Sequence, residues 1–290
     1  MKVKSSSKIN LALDVTGKLD NGYHSIESVF QTVGIYDEVT VELTDSGISI
    51  TCEIPECFSK SEPIPCNERN IAYKSAEYFF EQNNLTNGCR IHIKKGIPSQ
   101  AGMGGGSSDA GAVLYCLSRL TGKSIQNSEK LGADVPFFLT GGTAYVSGIG
   151  EKIVSIADYS EKVFVIAKGE EGVSTAEAYR KIDSLINPVH PQTSKLVDAI
   201  QNNSQNAYKY FGNLFEDAIQ PDEVSDIKSI MLENNALSAV MTGSGSAVFG
   251  FFGDSCKDSL NFARQCADKL SSMGYYAEVC TSVNKSFIEL

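Results

Sequence analysis

Apolar and polar positions alternate from the start of the chain. Ile9, Leu11, Leu13 and Val15 fall on every second position before Gly17 and the turn signal Asp20-Asn21-Gly22, which predicts a half-buried strand. Glu38 to Leu43 is a second extended stretch. It reverses at Asp45-Ser46-Gly47 into Ile48 to Ile54, and the pair reads as a β-hairpin. Residues 70–82 predict a helix with Ile71, Ser75, Tyr78 and Phe79 near one face, and Cys89 to Lys94 alternates again with Ile91 and Ile93 on one side. Gly96-Ile97-Pro98 then leads into a cluster of glycines and a helix of small residues from about Ser107 to Leu120.

Beyond the glycine-rich stretch from Gly141 to Gly150 the texture changes. Val163 to Ala167 predicts a buried strand, and Thr175 to Ile186 a helix opening on a Ser or Thr cap. Helices follow over Thr193 to Asn202 and Asp222 to Asn234. Strands Leu237 to Met241 and Ala247 to Phe252 flank the loop Gly243-Ser244-Gly245-Ser246. A long helix, Cys256 to Met273, and a strand, Tyr275 to Val279, complete the pattern. Strand, helices, strand, strand, helix, strand is the split βαβ order of ferredoxin-like domains. The expected class is α+β in two domains, residues 1–155 and 156–290.

Composition narrows the function. The chain has 290 residues, 42% hydrophobic and 21% charged, which suits packed cores rather than disorder. Its net charge of −10 disfavours broad contact with a nucleic-acid backbone, since that needs clustered Lys and Arg. Eight cysteines (Cys52, Cys57, Cys66, Cys89, Cys116, Cys256, Cys266, Cys280) are scattered without a C-x-x-C, and a chain this long builds a core without staples, so they read as reduced thiols. Three distant histidines (His24, His92, His190) offer no zinc-ligand spacing. The start, MKVKSSSKINLALDV, has no secretory apolar stretch or plastid transit character, and runs such as Val163 to Ala167 are too short to span a bilayer. A soluble cytoplasmic protein, with neither nucleic acid nor membrane as partner, is expected.

The candidate chemistry starts at Pro98-Ser-Gln-Ala-Gly-Met-Gly-Gly-Gly-Ser-Ser-Asp109. Glycines between a strand and a helix start allow positive φ and let a ligand approach the amides, while the free N–H groups and dipole of the helix attract anions. A polyphosphate site is the strong reading and a flexible loop the bland one. No lysine follows the glycines, so the loop is not a G-x-x-x-x-G-K-[ST]. Ser107 stands where a dinucleotide fingerprint needs its third glycine. Asp134, inside the apolar run Leu131 to Phe138, is either a helix or turn cap or a working carboxylate. Lys8 is either a solvated edge charge or a functional cation, Asn10 either a satisfied core amide or a ligand partner. Tyr23 and His24 are either exposed loop residues or a stacking and hydrogen-bonding pair for a base.

These residues together resemble a GHMP-superfamily small-molecule kinase over nearly the whole chain. The resemblance rests on Lys8-Ile-Asn-Leu, Gly22-Tyr-His24, Gly104-Gly-Gly-Ser-Ser-Asp109, Leu131-Gly-Ala-Asp-Val-Pro-Phe-Phe138, Gly148-Ile-Gly-Glu151, Gly172-Val-Ser-Thr175 and Gly243-Ser-Gly-Ser246. The triple glycine before the serines and the G-A-D-V-P-F-F run mark one branch of that superfamily. The resemblance implies an N-terminal nucleotide-binding domain, a C-terminal ferredoxin-like domain, ATP as co-substrate and Mg2+ bridging its phosphates. The implied reaction is phosphorylation of the 2-hydroxyl of a methylerythritol moiety that carries a cytidine diphosphate group, a step of non-mevalonate isoprenoid precursor biosynthesis. Asp134 matches the base and Lys8 its electrostatic partner. Pro98, Ser99, Gln100, Ala101, Gly102, Met103, Gly104, Gly105, Gly106, Ser107 and Ser108 match the ATP phosphate loop, with Ser108 a metal contact by analogy. Asn70 and Lys95 match positions near the adenosine. Tyr23, His24 and Tyr179 match positions that clasp cytosine, and Asn10 and Thr175 the methylerythritol and diphosphate side.

Two departures stand out. Only ten residues separate Leu120 from Leu131, where the family usually has an additional helix, and the shortening bears on how Asp134 is presented. Met103 replaces the usual leucine, a swap of similar volume. The alternatives are another superfamily kinase, acting on homoserine, mevalonate or a sugar, and a nucleotide-binding protein without catalysis. RNA binding conflicts with the charge.

Overall fold

The protein is described by a computed structural model over residues 1–58, 63–219 and 221–290; of the cysteines expected as thiols, the side chain of Cys57 lies outside the described residues. The other seven are free. The chain opens with two long strands, β1 (Lys2–Lys18) and β2 (His24–Thr44), followed by β3 (Ile48–Glu53), α1 (Ile71–Gln82), β4 (Gly88–Lys94), α2 (Gly105–Thr121), α3 (Val135–Thr140), β5 (Thr143–Gly148) and β6 (Lys152–Ser155). The first sheet runs β12-β1-β2-β4-β3, where β12 (Phe287–Glu289) is the last element of the chain. β2 serves two neighbours in succession: its first half pairs with β5 and its second half with β4.

The expected hairpin between residues 38–43 and 48–54 does not form. β4 lies between β2 and β3, antiparallel to the first and parallel to the second, so β3, α1 and β4 make a crossover unit. The burial pattern gives the reason. β4 buries Cys89, Ile91 and Ile93, whereas β3 fully buries only Ile50, so the more apolar strand takes the interior place and the polar one the edge. The turn at Gly47 also lies against β4, whose Cys89 N–H donates to the Gly47 carbonyl at 2.9 Å. Helix α1 starts where expected, but its buried face is Ala72, Ser75, Ala76, Phe79 and Phe80, with Tyr78 turned outward.

The second half supplies β7 (Lys162–Lys168), α4 (Thr175–Ile182), α5 (Thr193–Gln201), β8 (Gly212–Asn213), α6 (Phe215–Ala218), α7 (Asp222–Glu233), β9 (Ser238–Met241), β10 (Val248–Asp254), α8 (Lys257–Ser272) and β11 (Tyr276–Thr281). Its sheet order, β11-β7-β10-β9 with every pair antiparallel, is the ferredoxin-like order expected. β8 and β12 return to the first sheet and pair with opposite ends of β1.

Four layers result. Helices α1 and α2 cover one face of the first sheet through Val39, Val41, Phe79, Ile91 and Leu114. The other face, with Ile9, Leu11, Val29 and Val33, packs on Phe164, Ile166, Phe249 and Phe251 of the second sheet, with α5 joining at the side. Val163, Val165 and Ala167 alternate to the far face, where they meet α7 and α8. β7 is thus buried on both sides, and its apolar run is unbroken for that reason.

A Cβ added at Gly88 would sit 1.8 Å from the Gly47 carbonyl oxygen. Gly88→Ala is therefore expected to destabilise the protein by about 1–3 kcal/mol in urea unfolding, and an unchanged midpoint would contradict the close β3–β4 crossing.

Candidate active site

β4 ends at Lys94, and the chain enters the glycine loop through Gly96 and Ile97. Backbone φ is positive at Gln100 (51°), Gly102 (70°) and Gly104 (71°), which brings the loop round to start α2 at Gly105. A Cβ on Gly102 would lie 2.2 Å from the Thr242 carbonyl oxygen, so the loop lies backbone to backbone against the second glycine loop, Gly243 to Ser246. Over the start of α2 lies a cavity of about 500 Å3, lined by residues 97–107 with Asn70, Ile71, Lys95 and Asp109. The first amides of the 17-residue α2 have no intrahelical partner, and here they border open space.

Several sequence-identified residues meet there in unexpected ways. Asn70 caps α1, accepting from Ala72 N–H at 2.9 Å and donating to the Pro65 carbonyl at 2.8 Å. Lys95 is buried, and its ammonium is held by Asp37 and by Asp109 at 2.8 Å. Burial opposes its charge, but Asp109 and Asp37 outweigh burial and raise its pKa. Asp109 is pushed well above the usual carboxylate range by burial and by the Asp37 charge. The Ser108 hydroxyl does not face the cavity: it donates to the Ser6 carbonyl at 2.6 Å, with no exposure, so the metal contact expected by analogy is not available from it. Of the adjacent Ser107 and Ser108 it is Ser107 that lines the cavity, together with Ser99 earlier in the loop.

Lys8 is not a solvated edge charge. It is 4% exposed, with Nζ donating to Asn10 Oδ1 at 2.7 Å, 3.6 Å from Asp134 Oδ2 and 4.6 Å from the centroid of the Phe30 ring. Burial lowers its pKa, and the Asp134 carboxylate works against that shift. Asp134 stands at the cap position of α3 but makes no capping hydrogen bond, so its carboxylate is left for Lys8 and for what lies in front of it. The short segment after α2 reaches Asp134 through one 3-10 turn (Ser128–Lys130), without a further α-helix. Asn10 is held on both sides of its amide: its Oδ1 also accepts from Thr242 Oγ1 at 3.2 Å and Gly243 N–H at 3.1 Å, and its Nδ2 donates to Ser28 Oγ at 3.0 Å.

A second cavity, of about 600 Å3, opens between the β1–β2 turn and α4. The His24 ring stacks on Tyr179, centroids 4.5 Å apart and 18° from parallel, and Tyr179 meets Phe215 edge-on. Burial pushes the Tyr179 phenol up to about 12, with the Asp134 charge adding to it. Tyr23 is 61% exposed at the rim, and Thr175 Oγ1 lies 2.8 Å from Ser244 Oγ. Asp183, which the sequence reading missed, accepts from His24 Nε2 at 2.8 Å and from Lys18 Nζ at 2.5 Å, and both bonds lower its pKa. Its signal was hidden because the helix was expected to run on to Ile186, whereas α4 stops at Ile182 and Asp183 is its C-cap.

The carboxylate–ammonium pair lies close to both cavities, though neither Lys8 nor Asp134 is among the residues that line them. The loop side reaches Lys8 at Gly104, whose Cβ position is 3.3 Å from Lys8 Cε. The other side reaches Asp134 at Gly150, whose Cβ position is 3.9 Å from Asp134 Oδ1, beside the cavity-lining Ile149. An anion-binding loop, a free carboxylate and a second pocket fit a phosphoryl transferase acting on a small molecule. The pattern of GHMP kinases N terminal domains matches residues 70–142 and that of GHMP kinases C terminal domains matches residues 192–275, and the chain belongs to the GHMP kinases. Within them it falls in the family of 4-diphosphocytidyl-2-C-methyl-D-erythritol kinases. The relative so named from Clostridium botulinum (strain Alaska E43 / Type E3) is 39% identical over 279 residues, 93% of this chain and 95% of its own length. The one from Clostridium tetani (strain Massachusetts / E88) is 39% identical over 291 residues, covering 97% and 99%. A crystal structure of 4-(cytidine 5'-diphospho)-2C-methyl-D-erythritol kinase superposes with a TM-score of 0.78 at 28% identity over 97% of this chain and 99% of that one. A homoserine kinase from Cytophaga hutchinsonii ATCC 33406 shares the fold, with a TM-score of 0.75 at 18% identity over 99% and 96%.

Gly102→Ala places a methyl group in a left-handed conformation against the Thr242 carbonyl. It is expected to lower stability by about 1–3 kcal/mol in thermal unfolding, and a wild-type midpoint would contradict the contact between the two glycine loops.

Proposed function

We propose that this enzyme transfers the γ-phosphoryl group of ATP to the 2-hydroxyl of the methylerythritol part of 4-diphosphocytidyl-2-C-methyl-D-erythritol, and that it does so in the cytoplasm. The observation that carries the assignment of roles is the Asp134 carboxylate beside the buried Lys8 ammonium, 3.6 Å away, with Gly104 of the first cavity's lining against Lys8 and Gly150, next to Ile149 of the second cavity's lining, near Asp134. The triphosphate lies on the amides of Gly102 to Ser107, with the adenosine toward Asn70. The cytidyl group lies against the His24–Tyr179 stack with Tyr23 at the rim, and the methylerythritol reaches toward Asp134 past Thr175 and Ser244.

In this arrangement Asp134 accepts the proton of the 2-hydroxyl as its oxygen forms a bond to the γ-phosphorus. The bond from that phosphorus to the β–γ bridging oxygen breaks, and ADP leaves. Lys8, itself buried beside the partly exposed Asp134, stabilises the negative charge between acceptor and phosphate as a cation already fixed in place. Asn10 aims Lys8 through its oxygen, and the second hydrogen of its Nδ2, beyond the one given to Ser28, is left for the methylerythritol side of the substrate. Mg2+ would neutralise phosphate charge here. The hydroxyls of Ser99 and Ser107, which line the cavity, are the loop groups that would help hold it beside the phosphate oxygens.

A coupled ADP-release assay with the cytidyl substrate, and with homoserine and mevalonate as controls, tests the reading. Turnover is expected with the cytidyl compound alone. Asp134→Asn is expected to lower kcat by about 10²–10⁴-fold with the KM for ATP changed by no more than about threefold. Wild-type turnover in the variant would remove Asp134 from the role of base.

A further inference from the structure

We propose that Asp37, Lys95 and Asp109 form a buried clamp that holds the two ends of the phosphate loop at a fixed spacing, which makes Asp37 and Asp109 positioning residues for the triphosphate. The proposal rests on the reading of Pro98 to Ser108 as the ATP loop.

The three residues come from three separate places in the fold. Asp37 lies on β2 with no exposure, and one of its oxygens accepts from Gly96 N–H at 2.7 Å and Ile97 N–H at 2.9 Å, the two residues through which the chain enters the loop. Its other oxygen takes a hydrogen bond from Lys95 Nζ. The same ammonium donates to Asp109 Oδ2 at 2.8 Å, in α2 just after the loop ends. One cation thus joins the start of the loop to its finish. Both approaches are close. A Cβ on Gly96 would sit 2.3 Å from the Tyr36 carbonyl oxygen, and one on Gly105 only 3.6 Å from Lys95 Nζ. The ammonium therefore lies under the first residue of α2, where the unpaired amides begin.

Stability alone does not account for this cluster. Buried ion groups are often matched or exceeded by apolar replacements of the same volume, and the surrounding core of Ile91, Ile93 and Leu114 is apolar. Asp109 Oδ1 is buried without a hydrogen-bond partner among the described residues, a cost that plain packing would avoid. What charge-assisted bonds add is direction: they fix where the loop enters and leaves. Lys95 is near the nucleotide cavity, as expected from the sequence, but two of its three donors are committed to carboxylates, so it acts mainly through them.

The test compares ATP with adenosine, which has no phosphates, by calorimetric titration of the full-length protein. In Asp109→Leu, which removes the acceptor but keeps the branching at Cγ, ATP affinity is expected to fall about tenfold or more while adenosine stays within about twofold. Asp109→Asn keeps an acceptor oxygen for Lys95 and is expected to restore ATP affinity to within about threefold of wild type. Should Asp109→Leu fail to fold, Asp109→Ala also removes the acceptor and is expected to show the same selective loss of ATP. Equal losses for ATP and adenosine, no loss in the Leu or Ala variant, or failure of Asn to restore ATP binding would each overturn the clamp. A wild-type protein that binds ATP no more tightly than adenosine would instead overturn the loop reading, and the clamp with it.

Discussion

The side-chain amide of Asn10 is the point on which the two halves of the protein and the reacting pair depend. Its oxygen accepts from the Lys8 ammonium, the Thr242 hydroxyl and the Gly243 amide, and its nitrogen donates to Ser28. Three of those partners come from distant parts of the chain. Because Thr242 and Gly243 also lie against Gly102 at backbone distance, the amide links the phosphate loop, the lysine and the second glycine loop in one rigid unit. Lys8 loses its freedom to follow solvent and stays 3.6 Å from Asp134. A buried ammonium on a flexible stem would otherwise swing outward toward water.

The same economy explains how a chain of net charge −10 handles two anionic substrates. In the proposed reading, backbone amides at the start of α2 supply partial positive charge without adding a cation, and the two buried lysines nearby are each held by protein acceptors: Lys8 by Asn10 and Asp134, Lys95 by Asp37 and Asp109. Burial lowers the pKa of Lys8, where a single carboxylate opposes it, and fails to lower that of Lys95, where two do. The difference follows from counting carboxylates at comparable depth.

Much of this was legible in the sequence, and the failures have physical causes. The helices with caps and apolar faces, such as α8 behind Cys256 and α1 behind Asn70, begin within a residue of where they were expected. The ferredoxin-like order was readable because its strands are short and set off by helices or, between β9 and β10, by a glycine loop. The first half of β2 was not. From Ile26 to Ile35 it is nearly buried on both faces and its pairing with β1 carries bulges, so no alternation marks it. β5 hid in a glycine-rich stretch, and β12 is three residues long. The hairpin between β2 and β3 failed because a turn signal shows where the chain reverses and says nothing of a strand that later inserts between. In the site, the glycine loop announced itself by composition. The burial of Lys8 and the bonds of Asp183 and Asp37 did not, because each is made across the fold by a residue that looks ordinary among its neighbours.

The account stands on one geometry, a triphosphate on the loop amides and an acceptor hydroxyl in front of Asp134. A crystal structure with a non-hydrolysable ATP analogue and the cytidyl substrate bound together measures it directly. The account predicts the phosphates on the amides between Gly102 and Ser107, with the 2-hydroxyl within hydrogen-bond reach of Asp134 and in line with the terminal phosphorus. Phosphates lodged away from that loop, or an acceptor hydroxyl turned away from Asp134, would contradict it.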